Sequence, residues 1–394
     1  MSDRKHRYSL PKSVYSRHKS AHSRPSLFGQ TLSNNTSFGR VVKPNNKPLL
    51  RRMRSGESKP AEMNYREPIH IPPQCRATKD YIRAFTRPWT TTVSTPHQAV
   101  CKSDITFDSL TLLAKRRSQL PTSEQLKQSC NEILRTNTVW IDSKDVKLMQ
   151  YLPNFIPENL STALELELDR LVLAIPPKVS TNLARYDGFQ HWCDRNLPSK
   201  HTPCGELRLL IHNQTGHGND RPGPSADLAG QSYRTEAALE FKRSEAMTAL
   251  TERLSRALGA IDKDAWKLAR GQVIAAKKEW ASFAAADIAR DSCFTGLFVL
   301  TNTFTLNHLD SNDLIDGWAA MVVLGHFKHA PLYVPQLKAK LPHQRRDTVF
   351  LRSRILQHFS DEFRILSGVG RYVLVFTNHQ SVFNYLSKHY QLVY

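Results

Sequence analysis

Two histidines, one aspartate and one arginine in the last hundred residues are the groups whose types and spacing could do chemistry. His308 and Asp310 are two apart in Asn307-His308-Leu309-Asp310, and on an extended strand side chains two apart share a face. His358 follows fifty residues later, just after the strand-like run Thr348-Val349-Phe350-Leu351-Arg352. Two imidazoles and one carboxylate can occupy one face of a metal ion and leave its other positions open, which is the donor set of non-haem Fe(II) oxygenases. Arg371 lies thirteen residues beyond His358 and begins the run Arg371-Tyr372-Val373-Leu374-Val375-Phe376. A guanidinium is a planar fork of donors matched to a carboxylate. An arginine so placed could hold the far carboxylate of 2-oxoglutarate while the keto-acid end chelates iron.

Such a site needs strands to carry it. Residues 293 to 379 alternate short apolar runs rich in Val, Leu and Phe with polar turn segments, the pattern of β-strands closing into a sandwich or barrel. Asn302 shares strand parity with His308. It is expected either to face the pocket and touch the near carboxylate of 2-oxoglutarate, or to be a strand amide bonded to backbone. Asn312 and Asp313 fall in the loop after the ligands, where they could meet a substrate base or simply make the turn. Arg352 and Arg354 could follow a phosphate backbone or coat the surface. His326, His329 and His343 lack partners of this kind and read as turn or surface residues.

The run Asn307 to Asp313, Gly317-Trp318, Leu324-Gly325, Val349-Phe350-Leu351-Arg352-Ser353, His358, and Gly370-Arg371 through His379 resemble the fungal TET/JBP-type dioxygenases. Many members of that family are linked to transposable elements. The likeness covers about ninety residues well, the preceding helical region loosely, and the N-terminal third not at all. It implies an Fe(II)- and 2-oxoglutarate-dependent enzyme that uses O2 to oxidise a methylated base, 5-methylcytosine-like, in DNA. His308, Asp310 and His358 would ligate the iron, and Arg371 would bind 2-oxoglutarate. The chain departs from the family's pattern at two turns. It has His329-Ala330-Pro331 where members usually carry a glycine pair, and Arg345-Arg346-Asp347 where they tend to have Pro-Gly-Asp. Glycine supplies positive φ without steric cost, so altered turns are expected there.

Charge is unevenly spread along the 394 residues. The net charge is +20, and residues 1 to 60 hold 14 Lys and Arg against only Asp3 and Glu57. That Ser-, Asn- and Pro-rich stretch cannot bury enough apolar surface to offset its ordering entropy, so residues 1–65 read as a disordered basic arm. Such an arm suits phosphate backbones, and Lys47-Pro48-Leu49-Leu50-Arg51-Arg52-Met53-Arg54 has the character of a nuclear import signal. The start does not resemble a secretory signal, and no apolar run reaches membrane-spanning length, so an intracellular, nuclear protein with no membrane partner is expected. Six scattered cysteines without a CxxC pair read as reduced thiols.

The remaining elements would support the site. Residues 66–234 read as a helical and irregular part of the catalytic region. Helices are expected over Asp108–Arg117, Ser123–Arg135 and Leu160–Ala174, with a Gly/Pro-rich loop at 213–233. Residues 235–290 read as supporting helices. In the first, Met247, Leu250, Leu254 and Leu258 make a core stripe, with Gly259 as its stop. In the second, Asp262 is the cap, and Trp266, Ala269, Val273, Ala276, Trp280 and Phe283 make the stripe. The predicted fold is α+β, with a double-stranded β-helix (jelly-roll, cupin-like) core at 291–394 backed by helices. The competing functions are a hydroxylase of a protein or small molecule with the same iron site, and an inactive transposon-derived remnant that binds nucleic acid.

Overall fold

In the computed structural model, residues 98–115, 121–133, 135–180, 183–186, 189–199, 201–213 and 221–392 are described. The basic arm of residues 1–65 and its import-like segment lie outside them. The described strands are β1 (Ala99–Lys102), β2 (Asn131–Glu132), β3 (Thr138–Ile141), β4 (Lys147–Leu152), β5 (Gly205–Asn213), β6 (Pro222–Pro224), β7 (Gly296–Thr301) and β8 (Ala319–Gly325). They continue with β9 (Phe327–Lys328), β10 (Leu332–Val334), β11 (Ala339–Leu341), β12 (Thr348–Leu351), β13 (Phe359–Ser360), β14 (Arg364–Ile365) and β15 (Arg371–Thr377). The helices are α1 (Phe107–Lys115), α2 (Ser123–Lys127), α3 (Glu158–Ala174), α4 (Leu183–Tyr186), α5 (Phe189–Asn196) and α6 (Ala226–Ala229). After them come α7 (Tyr233–Arg243), α8 (Glu245–Ile261), α9 (Lys263–Glu279), α10 (Ala281–Ala286) and α11 (Gln380–His389).

The chain is mixed α+β around a nine-stranded sheet of order β1-β3-β4-β12-β8-β15-β7-β5-β6 and a four-stranded sheet of order β13-β10-β11-β2. From β7 onward the chain passes repeatedly between them. β7, β8, β12 and β15 lie in the large sheet, whereas β10, β11 and β13 lie in the small one. The ladders among these strands are antiparallel. Period-2 alternation makes this possible, because both faces of the central strands are apolar. Ala320, Val322 and Leu324 of β8, with Tyr372, Leu374 and Phe376 of β15, pack on Leu164 and Leu168 of α3 and on Met247, Leu250, Leu254 and Leu258 of α8. Met321 and Val373 point the other way, into a second core with Leu332, Val334 and Leu341 of the small sheet.

Several local expectations are corrected. The helix expected over Ser123–Arg135 ends at Lys127, although Thr122 caps it in a full capping box. The next residues pair instead with β11: Asn131 donates to the Lys338 carbonyl, and Ile133 to that of Lys340. Tertiary backbone pairing thus overrides helix propensity. β1, β3, β4 and β5, in a region read as helical and irregular, extend the large sheet. Gly259 does not stop its helix, which runs on to Ile261. Asp262 makes the break. It ends α8 and caps α9 by accepting from the Ala265 N–H at 3.0 Å.

The two turns at 329–331 and 345–347, which have no glycine, each keep a left-handed residue. His329 has φ +59° and Arg346 has φ +74°, a conformation costing a side-chain-bearing residue about 1–2 kcal/mol. Arg346 is held there by donating from its backbone to the Val323 carbonyl and from Nε to that of Ile156.

Asp347 follows that turn and is fully buried. Its carboxylate accepts from Tyr151 Oη at 2.6 Å, Arg135 Nη2 at 2.7 Å, Gln344 N at 2.8 Å and Asn154 N at 3.0 Å. It therefore joins the start of β12 to the end of β4. Asp347→Ala should lower the unfolding free energy by about 3–5 kcal/mol, because it strands a partly buried cation and several donors. Urea denaturation at pH 7 reads this, with Asp347→Asn losing less.

Candidate active site

His308 and His358 form an isolated antiparallel bridge. His308 N–H donates to the His358 carbonyl at 3.2 Å and His358 N–H to that of His308 at 3.0 Å. Each imidazole is then oriented by a backbone carbonyl two residues earlier. Nδ1 of His308 lies 2.7 Å from the Leu306 oxygen, and Nδ1 of His358 lies 3.0 Å from the Leu356 oxygen. A carbonyl can only accept, so Nδ1 carries the hydrogen in both rings and Nε2 presents a lone pair. Asp310 is not on a continuous strand with His308. It sits where the chain turns away, with its N–H on the Ser353 carbonyl at 3.1 Å.

One ligand atom from each of His308, Asp310 and His358 lies within 4.8 Å of the others. His358 Nε2 is 3.4 Å from Asp310 Oδ2, and His308 Nε2 is 3.6 Å from Asp310 Oδ1. Burial, reinforced by the charge of Arg185, pulls His308 well below the usual histidine range and keeps it neutral. Burial pushes the Asp310 carboxyl upward, but the charge of Arg185 outweighs it and the group is held well below the usual carboxylate range. Two imidazole nitrogens and one carboxylate converging in this way are a donor set that fits a divalent metal of the iron class.

Arg371 opens β15 with its side chain buried, and among the described residues no carboxylate pairs with it. Its Nη1 donates to the Thr303 carbonyl at 2.7 Å, and its buried Nε has no partner among them. The rings of Phe327 and Phe363 flank the guanidinium at 5.5 and 5.3 Å. Burial pulls its pKa down to about 9. His343, expected at a turn or surface, occupies a turn at φ +48° but buries its ring, which feels the charge of Arg371. Both its ring nitrogens and Thr303 Oγ1 also lack partners. A buried cation ringed by unpaired polar atoms fits an acidic ligand.

Asn302 is fully buried at φ +48°, and its side chain is engaged by backbone. Nδ2 donates to the Val369 and Pro203 carbonyls at 2.6 and 2.9 Å, and Oδ1 accepts the Arg371 N–H at 2.8 Å. It therefore fastens the strand that carries Arg371. Gly370 is required beside it, because a Cβ there would meet Asn302 Oδ1 at 2.3 Å.

A cavity of about 390 Å³ opens on His308 and Asp310, lined also by Arg185, Asn312, Asp313 and His379 among others. Asp313 and His379 are bridged strand to strand, with Oδ1 and Nε2 3.8 Å apart. Burial and the nearby Asp310 charge raise Asp313 to about 7, and burial lowers His379 to about 4. Arg352, read as a phosphate or surface residue, is buried instead. It pairs with Asp262 at 3.0 Å and lies over the rings of Trp318 and Phe107. Arg354 turns inward to the Asp313 carbonyl. Sequence reasoning missed Arg185 and His379. Arg185 stands 123 residues before His308 with no local motif around it.

No family model and no curated protein matches the sequence. Among solved structures, NgTET1 in complex with 5mC DNA overlaps 72% of this chain and 99% of its own, at TM-score 0.43 and 12% identity. A 2OG-Fe(II) oxygenase family oxidoreductase from Burkholderia pseudomallei overlaps 58% of this chain and 82% of its own, at TM-score 0.27 and 12% identity. OsALKBH1 overlaps 58% and 97%, at TM-score 0.29 and 12% identity. Overlaps this weak define no family, and the site stands on its own geometry.

An arginine that serves only the fold and one kept for a ligand respond oppositely to removal. Arg371→Met should raise the unfolding free energy by about 1–3 kcal/mol, since it replaces a desolvated, unpaired cation by an apolar chain of similar length. The same change should abolish binding of a dicarboxylate. Thermal unfolding with and without 2-oxoglutarate measures both.

Proposed function

We propose that the protein is an Fe(II)- and 2-oxoglutarate-dependent dioxygenase that oxidises a methylated, 5-methylcytosine-like base in DNA. The observation that carries this reading is the convergence of the His308, Asp310 and His358 ligand atoms, with both imidazole lone pairs set by backbone carbonyls. The unpaired Arg371 supports it, because a site for a metal alone has no use for a second buried cation. In this reading β7 to β15 wind as a double-stranded β-helix within residues 291–394, and the helices of 235–290 brace its large sheet.

The protein's own groups have distinct tasks. His308, Asp310 and His358 would hold the iron on one face. Arg371 would receive the far carboxylate of 2-oxoglutarate, with Phe327 and Phe363 excluding water and strengthening that pairing. Bound together, iron and 2-oxoglutarate supply the means to activate O2 and hydroxylate a C–H bond. The cavity over His308 and Asp310 would take the base, with Asp313 and His379 offering a hydrogen-bonding pair to its edge. A base in duplex DNA would have to leave the stack to enter. The basic arm of the first sixty residues supports a polyanionic substrate, and its segment at 47–54 supports a nuclear address.

Anaerobic titration with Fe(II) and 2-oxoglutarate tests the cofactor site. A weak visible charge-transfer band is expected in the wild type. It should vanish in His308→Ala and require at least tenfold more 2-oxoglutarate in Arg371→Ala. Absence of the band in folded wild-type protein would overturn the dioxygenase reading and leave the nucleic-acid-binding remnant. Base-modified DNA, assayed next, separates a base oxidase from a hydroxylase of other substrates.

A further inference from the structure

Arg185 reaches the candidate metal centre from α4, and backbone fixes its approach. Its carbonyl accepts the Leu306 N–H at 2.9 Å, two residues before His308. Its Nη2 donates to Asp310 Oδ1 at 2.7 Å and also contacts His308 Nε2. These are donor atoms that a metal would use. Because His308 Nδ1 is committed to the Leu306 carbonyl, Nε2 has a single lone pair, which serves either an N–H or a metal but not both. A guanidinium does not deprotonate in this setting, so it cannot yield by losing its proton. It must withdraw. Arg185 Nε is buried and, among the described residues, has no partner, so its hydrogen bonds to them are these contacts to the triad.

We propose that Arg185 is a resident cation of this centre, competing with the metal for His308 and Asp310 and lowering metal affinity in exchange for keeping the ligands assembled. The inference rests on the metal-site reading above and deepens it. On metal entry, His308 Nε2 passes to the metal, and the guanidinium retreats to Asp310 Oδ1 alone or leaves the centre. The positive charge left nearby then works against a divalent ion. A dianionic co-substrate bound at the same centre offsets that charge.

The test is calorimetric titration of full-length, chelator-stripped protein with Mn(II), a redox-stable probe that needs no turnover. Wild type, Arg185→Ala, Arg185→Lys and His308→Ala are compared, with thermal unfolding measured on each before and after Mn(II). Arg185→Ala is expected to bind Mn(II) about 10- to 100-fold more tightly than wild type, which is about 1.4–2.7 kcal/mol. It should melt earlier without Mn(II) and gain more on its addition. Arg185→Lys keeps a charge at the site and should bind close to wild type. Equal or weaker binding in Arg185→Ala, with wild-type binding that depends on His308, overturns the inference and leaves the metal site standing. No Mn(II) binding in any folded variant overturns both.

Discussion

Two backbone hydrogen bonds, exchanged between His308 and His358, are the constraint on which the candidate site depends. They bring residues fifty positions apart into register, and the rest of the geometry follows. The carbonyls of Leu306 and Leu356 then pin each ring. A metal ligand needs its lone pair aimed before the ion arrives, and tethering Nδ1 to backbone does this without adding a charged partner. The bridge in turn relies on the winding of strands between two sheets. β7 and β8 lead into and out of the His308 segment, and β12 and β13 flank the His358 segment.

The site concentrates charges that a stable core would avoid. Among the described residues Arg371 is buried without an acid, Asp313 is driven toward neutrality, and Arg185 leans on two of the candidate metal ligands. Such arrangements cost stability. They are tolerable because the surrounding sheet is apolar on both faces, with α3 and α8 on one side and the small sheet on the other. Two buried charged groups away from the site, by contrast, are well partnered: Asp347 accepts from four residues, and Arg352 has Asp262 and two rings. The difference between satisfied and unsatisfied buried charge marks where a ligand is expected to complete the electrostatics.

The strands from residue 296 onward were legible because alternation of apolar residues is a local signal. The same holds for α8 and α9, whose stripes recur every three or four residues. The extra strands β1, β3, β4 and β5 were not legible. β1, of 4 residues, and β2, of 2, are too short to carry a pattern, and their state is decided by an edge supplied from elsewhere in the chain. Asn131–Glu132 is the clearest case, since it becomes a strand through parallel pairing with Ala339–Lys340. Gly259 misled for a different reason: it lies within the helix, which runs on to Ile261 where Asp262 makes the break.

By itself, the sequence singled out the candidate residues: His308 and Asp310 by their spacing, the later His358, and an arginine at the head of the last long strand. The identity of a side chain and its parity along a strand are local properties, so they survive without coordinates. Only the tertiary structure decided what surrounds them. It assigned Asn302 to backbone fastening, placed His343 beside Arg371, paired Asp313 with His379, and delivered Arg185 to the ligands from 123 residues upstream. Those relations depend on chain segments meeting across the fold. Desolvation and charge act through space, and sequence order does not encode distance.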